Sequence, residues 1–402
     1  MKFPKKANFL CEILARDGYQ ARVVGGYIRD IMKNFSPHEL DMATDSKPEI
    51  VLDICQENDV QCIPTGLKHG TVTAIIDSEP IEITTLRQDA HCYGRHAEVA
   101  FINSWEEDAR RRDFTINAMY LDNKLRLYDF FDGESDLNNN IVRFIGDPEQ
   151  RIHEDYLRIM RYFRFLGYFD NLKLHQDSFN QAVMLSHNLC KISSERIRNE
   201  LLKVLSSRAR NIPIELMLKS KIFEKIGLSF HNIDTSKLYF SSDPIINLTV
   251  LMKLSNICDS TVLKGLKFRN SEQKIIGELL KYNLDNHFKS VLEKMIHGIN
   301  TINIIHNNMQ EIGQYLYIKL FEMHFCIEIK SFTSCNYDQF LENFRTVLSY
   351  IKLKKFPLNA EDIIDLGYLH QDIGIKLRLA KQLWIDSSCT LEKAHLIKLI
   401  TN

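Results

Sequence analysis

Two adjacent glycines and a nearby arginine are the first residues suited to chemistry. A short apolar segment ends at Val24, and Gly25 and Gly26 follow directly. Because glycine has no side chain, the backbone N–H groups at this point can approach a triphosphate closely. A helix beginning near Tyr27 would direct its positive N-terminal end to the same place, with Arg29 as a fixed cation. The segment is therefore predicted to bind the phosphates of a nucleotide.

Two carboxylates spaced by one residue, Glu39 and Asp41, follow on a predicted strand over 38–43. Side chains at i and i+2 of a strand point to one face, where they can share a pair of Mg²⁺ ions. Taken alone, such a pair is more often a solvated turn. Here it comes after two glycines and an Arg-Asp step, and this order indicates an enzyme that joins nucleotides with the help of metal ions.

These residues need a sheet to position them, and residues 1–140 alternate strands with short helices. Strands are predicted at 20–24, 38–43, 71–76, 81–86, 97–101, 117–122 and 125–128. The stretch 71–86 has the spacing of a hairpin with its turn at 77–80. After about residue 145 the pattern is helical almost throughout. This change from α/β to all-α is the clearest domain boundary in the chain.

Composition sets broad limits on function. With 402 residues, 45% apolar and 26% charged, the chain has enough core-forming material for about two to four domains. No run of about 18 apolar residues occurs, so no membrane partner is expected. The nine cysteines are scattered singly, which favours reduced thiols and a cytoplasmic location. A net charge of −1 argues against broad nonspecific nucleic-acid binding, although arginines cluster at 110–112 and within 151–164.

A helical wheel of residues 151–166 separates apolar from charged side chains. One side carries Ile152, Tyr156, Ile159, Met160, Phe163 and Leu166, and the other carries Arg151, Glu154, Asp155, Arg158 and Arg161, with Arg164 on the flank. By itself this pattern predicts one amphipathic helix with a solvated, salt-bridged face.

The segment VVGGYIRDIMKNFSPHELDMAT (23–44) and six others resemble the class II tRNA nucleotidyltransferases, the CCA-adding enzymes, and the related bacterial poly(A) polymerases of the DNA polymerase β-like superfamily. The others are TGLKHGTV (65–72), EITTLR (82–87), GRHAEVAF (94–101), EDARRRDFTINAMY (107–120), GDPEQRIHEDYLRIMRYFRF (146–165) and SSERIRNEL (193–201). They follow the family's order and spacing over roughly the first half of the chain. A weaker resemblance, to the family's C-terminal tail, covers 360–386.

The resemblance implies an α+β protein. An N-terminal α/β nucleotidyltransferase head with a mixed sheet would occupy 1–140 and carry the catalytic site. All-α neck, body and tail domains would follow at 141–205, 206–330 and 331–402. The neck would recognise the base of the nucleotide, and the tail would bind tRNA.

The resemblance also implies the metal site. Glu82, in the strand EITTLR, matches the family's third carboxylate and would complete the ion that activates the attacking hydroxyl. Glu39, Asp41 and Glu82 are the expected catalytic residues, with Glu39 and Asp41 as ligands of Mg²⁺. The family pattern has aspartate at the position of Glu39. The extra methylene of glutamate keeps the charge but loosens the ligand, so a lower rate or a changed metal preference is expected.

The remaining predicted contacts with the nucleotide also come from the resemblance. Arg112 and Asp113 would contact the ribose hydroxyls and the phosphates and so distinguish NTP from dNTP, with Asn117 in support. Arg161 and Arg164 would serve phosphate binding or base stacking.

Base selection follows from hydrogen-bonding chemistry. The helix over 151–166 resembles the family's base-reading helix, and Asp155 can only accept while Arg158 can only donate. Cytosine and adenine each offer an amino donor beside a ring-nitrogen acceptor, and uracil and guanine present the opposite order. An acceptor and a donor held at i and i+3 would therefore accept C and A and reject U and G. Glu154 is expected to orient Arg158 through an ion pair.

The leading prediction is a CTP(ATP):tRNA nucleotidyltransferase that adds or repairs the 3′ CCA end, with the tRNA 3′ end, CTP and ATP as partners and no protein partner implied. Two alternatives come from the same family: a poly(A) polymerase, and a partial enzyme that adds only A or only CC. A third alternative from another class is a non-catalytic RNA-binding relative, suggested only by Glu39.

Overall fold

The computed structural model describes residues 3–37, 39–93, 96–282, 290, 314–328, 356–369, 371–387 and 390–401. The chain divides into two compact units, Met1–Leu228 and Ser229–Asn402. Parts of the predicted body and tail lie outside the described residues. The four predicted domains are finer than this division and stay a prediction.

The first unit begins with alternating helices and strands and ends with helices only. Its elements are α1 (Lys5–Arg16), β1 (Ala21–Val24), α2 (Gly26–Met32), β2 (Asp41–Thr44), α3 (Pro48–Glu57), β3 (Gln61–Gly66), β4 (Thr71–Ile76), β5 (Glu79–Thr85), β6 (Arg87–Tyr93), β7 (His96–Phe101), α4 (Trp105–Arg110), β8 (Met119–Leu121), β9 (Leu127–Asp129), α5 (Gly133–Asn138), α6 (Pro148–Glu154), α7 (Leu157–Leu166), α8 (Gln176–Met184), α9 (Ser194–Leu205), α10 (Asn211–Lys219) and α11 (Ile222–Lys225).

Seven strands form one mixed sheet in the order β3-β4-β5-β2-β1-β8-β9, and β6 and β7 form a separate two-stranded ribbon. Only the β2–β5 pair is parallel among the described pairings of the large sheet. The α+β class and the mixed sheet predicted from the sequence are confirmed. The central strand β1 is buried along its whole length, as expected for a strand covered on both faces.

Most predicted strands are found, with shifted ends. The hairpin over 71–86 is confirmed, and its tight turn lies at Asp77 and Ser78, both with positive φ. The predicted strand 38–43 is wrong in its bounds, because β2 begins at Asp41. Strand β3 was not predicted, since its residues QCIPTG are mostly exposed and include a proline and a glycine.

The single helix predicted over 151–166 is wrong. It is two helices, α6 and α7, separated at Asp155, whose backbone is extended at φ −152° and ψ 105°. Asp155 ends α6, and its side chain accepts a hydrogen bond from the N–H of Leu157 at 3.1 Å in the first turn of α7. Aspartate suits this position because its short carboxylate satisfies a free N–H at a helix start.

An aromatic cluster packs α7 against the end of the head. Phe114 and Phe144 have ring centroids 4.8 Å apart, and Tyr162 of α7 stacks on Phe144 at 5.4 Å. All three rings are fully buried, as are Ile159 and Phe163 from the predicted apolar face of the same helix. The helix that was predicted to read the base therefore shares one core with the end of the predicted head.

The second unit is helical in its described residues. Its elements are α12 (Pro244–Leu254), α13 (Asn270–Lys281), α14 (Gln314–Glu328), α15 (Ala360–Ile364), α16 (Gln371–Asp386) and α17 (Lys393–Thr401). A small core near the end of the chain is built around Trp384, with Leu358, Ile363, Leu396 and Ile400 buried beside it. Within the described ranges, no helix combines the length and apolar composition needed to span a bilayer.

Candidate active site

Sheet register brings two of the predicted acids side by side. Asp41, the first residue of β2, pairs directly with Glu82 of β5 in the parallel ladder. Paired residues of neighbouring strands project to the same face, so the two carboxylates share one side of the sheet. Glu39 lies two residues before Asp41, but it precedes the strand and is exposed, so the prediction that it lies on β2 is wrong.

Asp41 is strongly perturbed by its surroundings. Burial raises its pKa, and repulsion from Glu82 and Glu39 raises it further to about 6, against an opposing effect of Arg112. The shift indicates three acids close enough to interact and only partly balanced by the protein's own cations. A bound cation would supply the missing balance.

The three acids line one open cleft of ≈ 650 Å³. Their oxygen donors suit Mg²⁺, which commonly takes one or two carboxylates together with substrate phosphates. Among the described residues, no three His, Cys, Asp or Glu side chains are already grouped to hold an ion. The donor set therefore fits a divalent ion that binds together with the nucleotide.

The predicted phosphate turn lies directly after β1. Gly25 has φ +73° and ψ −126°, a conformation that side chains strongly disfavour, and it precedes the first turn of α2. A Cβ added at Gly25 would lie 3.8 Å from Nη1 of Arg112, so the turn and that guanidinium are neighbours. Gly26 is similarly close to Arg29, at 3.5 Å from Nη2.

Arg29 is held by protein partners on several sides. Its Nη1 donates to Oδ1 of Asn117 at 2.7 Å, and its Nη2 donates to Oδ1 of Asp30 at 2.8 Å. The guanidinium lies 4.7 Å from the ring centre of Tyr168, whose hydroxyl donates to Asp30 at 2.9 Å. The prediction of a fixed cation agrees with these contacts, although much of its hydrogen-bonding capacity is used within the protein.

Arg112 belongs to a buried cluster around Asp108. Nη2 of Arg112 lies 3.1 Å from Oδ2 of Asp108, and Arg111 reaches Oδ1 at 2.7 Å. The hydroxyl of Tyr120 donates to the same carboxylate at 2.7 Å. Burial alone would raise the pKa of Asp108, which is 1% exposed, but Arg112, Arg111 and Tyr120 together lower it to about 2.

Asp113, Asn117 and Arg161 form a second cluster that joins the two regions of the first unit. The Asn117 amide donates to Oδ1 of Asp113 at 3.1 Å, and Nε of Arg161 in α7 donates to Oδ2 at 2.7 Å. Burial would raise the pKa of Asp113, but Arg161 and Asn117 lower it below its usual range. Arg164, farther along α7, pairs with Glu200 at 3.2 Å.

The break before α7 changes the predicted base-reading pair. Asp155 and Arg158 are not at i and i+3 of one helix, so the geometry predicted for them is wrong. Oδ2 of Asp155 instead pairs with Arg196 at 2.9 Å. Nη1 of Arg158 lies 2.6 Å from Glu154, which confirms the predicted ion pair.

Comparisons with known proteins identify the family. The profile described as "Poly A polymerase head domain" matches residues 21–143, and "Probable RNA and SrmB-binding site of polymerase A" matches 171–230. The mouse protein "CCA tRNA nucleotidyltransferase 1, mitochondrial" is 36% identical over 299 residues, covering 72% of this chain and 68% of the mouse protein. The "CCA-adding enzyme" of Listeria monocytogenes serotype 4b (strain CLIP80459) is 32% identical over 333 residues, covering 77% and 82%. The chain belongs to the CCA-adding nucleotidyltransferase family.

A solved structure of this family has the same fold. The Bacillus stearothermophilus CCA-adding enzyme in complex with CTP aligns with a TM-score of 0.71 and 23% identity, covering 99% of this chain and 98% of that one. Family membership makes the chain a template-independent RNA nucleotidyltransferase. The non-catalytic alternative is therefore disfavoured, and Glu39 is a departure within an enzyme family.

Three residues in or near the site were not predicted from the sequence, or were predicted in the wrong surroundings. Arg151, predicted on the solvated face, is buried and donates to the backbone oxygens of Arg111 and Arg112, both at 2.5 Å. Asp108 could have been found, because it lies three and four residues before Arg111 and Arg112, the spacing at which side chains meet across a helical turn. Tyr168 gave no local pattern, since its partners are far away in the chain.

Proposed function

We propose that this CCA-adding family member adds or repairs the 3′ CCA end of tRNA, using CTP and ATP as substrates. The observation that carries the proposal is the pairing of Asp41 with Glu82 across two parallel strands, with Glu39 two residues earlier. Two carboxylates on one face of a sheet, with a third close by in the chain, suit two-metal transfer of a nucleotidyl group.

Glu39 and Asp41 would hold Mg²⁺, with Glu82 completing the set. Two such ions, when bound, would activate the attacking 3′-hydroxyl and neutralise the leaving pyrophosphate. The chain itself supplies position and selectivity. Asp41 lines the cleft together with Glu39 and Glu82, and its raised pKa supports a need for bound cations at neutral pH.

The triphosphate would lie against the glycine turn. Gly25 and Gly26 allow the backbone to approach the phosphates, and Arg112 stands beside the turn, 3.8 Å from the position of a Cβ at Gly25. Arg112 would face the ribose and a phosphate, held in place by Asp108. Asp113 and Asn117 would support the sugar contacts from the neighbouring cluster.

Base choice would come from Asp155 and Arg158, with Glu154 orienting the arginine. The acceptor and donor chemistry that favours C and A is unchanged by the helix break. Arg161 and Arg164 form ion pairs with Asp113 and Glu200 inside the protein. Their role would therefore be to hold α7 in place rather than to offer free donors to the nucleotide.

The direct test is incubation of the purified protein with a tRNA that lacks its 3′ CCA and with each labelled NTP in turn. Addition of two C residues and then one A supports the proposal. A long run of A supports the poly(A) polymerase alternative, and addition stopped after CC, or only of A to a CC end, supports a partial enzyme. A tRNA already ending in CCA is the matched control and should gain nothing.

The cytoplasmic location stays a prediction from the scattered cysteines. The mouse relative carries "mitochondrial" in its name, so cell fractionation with tRNA-transfer activity as the readout would decide between the two compartments.

A further inference from the structure

The first turn of α1 lines the same cleft as the catalytic acids. Pro4, Lys5 and Lys6 line this cleft of ≈ 650 Å³ together with Glu39, Asp41 and Glu82. We propose that Lys5 binds a backbone phosphate of the RNA acceptor strand, next to its reactive 3′ end. This inference rests on the proposed function and names a contact for its RNA substrate.

The two lysines differ in their surroundings. Nζ of Lys6 lies 2.7 Å from Glu79, the first residue of β5, and 3.8 Å from Asp77 in the preceding turn, so Lys6 already has anionic partners within the protein. Lys5 is exposed and makes no ion pair with any residue in the part of the chain that the structure describes. Lys5 is therefore the uncommitted cation of this cleft wall.

Local helix physics disfavours lysine at this position. The positive end of a helix dipole repels cations, and α1 starts with two lysines and has no acidic residue in its first turn. The N-cap is Pro4, which offers no side-chain hydrogen bond to the free N–H groups. Lys5 thus occupies an unfavourable position for a cation, at the wall of an active-site cleft and without an ion-pair partner among the described residues. Such a departure from local helix preference points to a role in binding.

The chemistry of the cleft favours RNA over the triphosphate as the ligand of Lys5. Gly25, Gly26 and Arg112, which would bind the triphosphate, are not among its lining residues, whereas Tyr27 is. Three carboxylates repel an approaching phosphodiester strand, and a free cation offsets that repulsion. Basic and aromatic side chains together are also the usual composition of a groove for single-stranded nucleic acid, and both Lys5 and Tyr27 line this cleft.

The test compares Lys5→Gln with Lys6→Gln, its neighbour on the same turn. Affinity for a tRNA lacking CCA is measured without nucleotide from 0.05 to 1 M salt. Losing one phosphate contact to a single strand should reduce the magnitude of the slope of log K against log[salt] by about 0.7. If the two proteins bind equally at 1 M salt, the variant then binds about fivefold more weakly than wild type at 0.1 M salt. Lys6→Gln should keep the wild-type slope, and Lys5→Arg should restore it.

Kinetics provide the second readout. Lys5→Gln should raise KM for tRNA about fivefold and leave KM for CTP within twofold, since only the RNA contact is removed. Equal salt slopes for Lys5→Gln and wild type, or the same loss in Lys6→Gln, would overturn the proposal. Failure of the proposed function would be distinct, because the wild-type protein would then transfer neither C nor A to tRNA.

Discussion

Replacing Asp108 by asparagine should destabilise the first unit without changing its shape. Asp108 is 1% exposed and balances two guanidinium groups, from Arg111 and Arg112, while accepting from Tyr120. Asparagine keeps the volume and one acceptor oxygen but removes the charge. Two poorly exposed guanidinium groups then lose their counterion, and broken pairs of this kind are strongly destabilising.

The size of the effect follows from the pKa. Asp108 has a pKa of about 2 in the folded protein against 3.8 as the reference value, and each pKa unit corresponds to about 1.4 kcal/mol. The carboxylate therefore contributes roughly 2–3 kcal/mol at neutral pH. Because the folded pKa is lower than the unfolded one, this contribution is complete above about pH 4 and is lost as the pH falls towards 2.

Urea unfolding of Asp108→Asn and wild type, each in a Trp384→Phe background, isolates the first unit. Trp105 is then the single tryptophan, since the chain has two, and its ring lies 5.3 Å from that of Tyr120 beside the cluster. The difference in unfolding free energy should be roughly 2–3 kcal/mol at pH 7 and should shrink at pH 3. A difference that is absent at pH 7, or equally large at pH 3, would refute the account of this cluster.

Three further predictions concern the acids and the base. Asp41→Asn should abolish nucleotide transfer yet stabilise the metal-free protein at pH 7 by up to about 3 kcal/mol, because the raised folded pKa makes the charged form costly above about pH 4; urea unfolding in EDTA checks this, and a destabilised variant would contradict it. Glu39→Asp should raise kcat with Mg²⁺ or reduce any preference for Mn²⁺; unchanged rates in both metals would show that the exposed backbone before β2 already accommodates glutamate. Asp155→Ala should raise UTP and GTP incorporation relative to CTP and ATP by roughly five- to 150-fold, the equivalent of about 1–3 kcal/mol, measured as kcat/KM on a tRNA ending before its CCA; unchanged ratios would remove Asp155 from base reading.

Local pattern was enough to predict much of the head. Period-2 alternation and a polar turn predicted the β4–β5 hairpin, and the glycine pair predicted the turn after β1. These features depend on neighbouring residues, so the sequence carries them directly. The Glu154–Arg158 pair was also predictable, since its residues are only four apart in the chain, and it forms even though the helix is broken between them.

What the sequence could not supply was long-range pairing. At the break, the carboxylate of Asp155 pairs with Arg196, forty-one residues later. Arg151 has a charged side chain at a predicted solvent position, and its burial depends on the distant carbonyl groups of Arg111 and Arg112 as well as on nearby Glu154. Such partners come from the tertiary fold, and helical periodicity carries no information about them.

The ion pair between Asp155 and Arg196 gives the protein an internal substitute for the base. For a nucleobase to be read by Asp155, its amino group has to take the place of a guanidinium that already occupies Oδ2 at 2.9 Å. Recognition is then an exchange reaction. The binding free energy of the base is the difference between its hydrogen bond to Asp155 and the ion pair with Arg196 that it replaces. Both side chains of the pair are partly exposed, so salt weakens the ion pair between Asp155 and Arg196 more than it weakens a hydrogen bond from Asp155 to a neutral base. On the proposal that Asp155 reads the base, nucleotide choice would depend partly on what the base displaces, and Arg196 would influence it through its ion pair with Asp155.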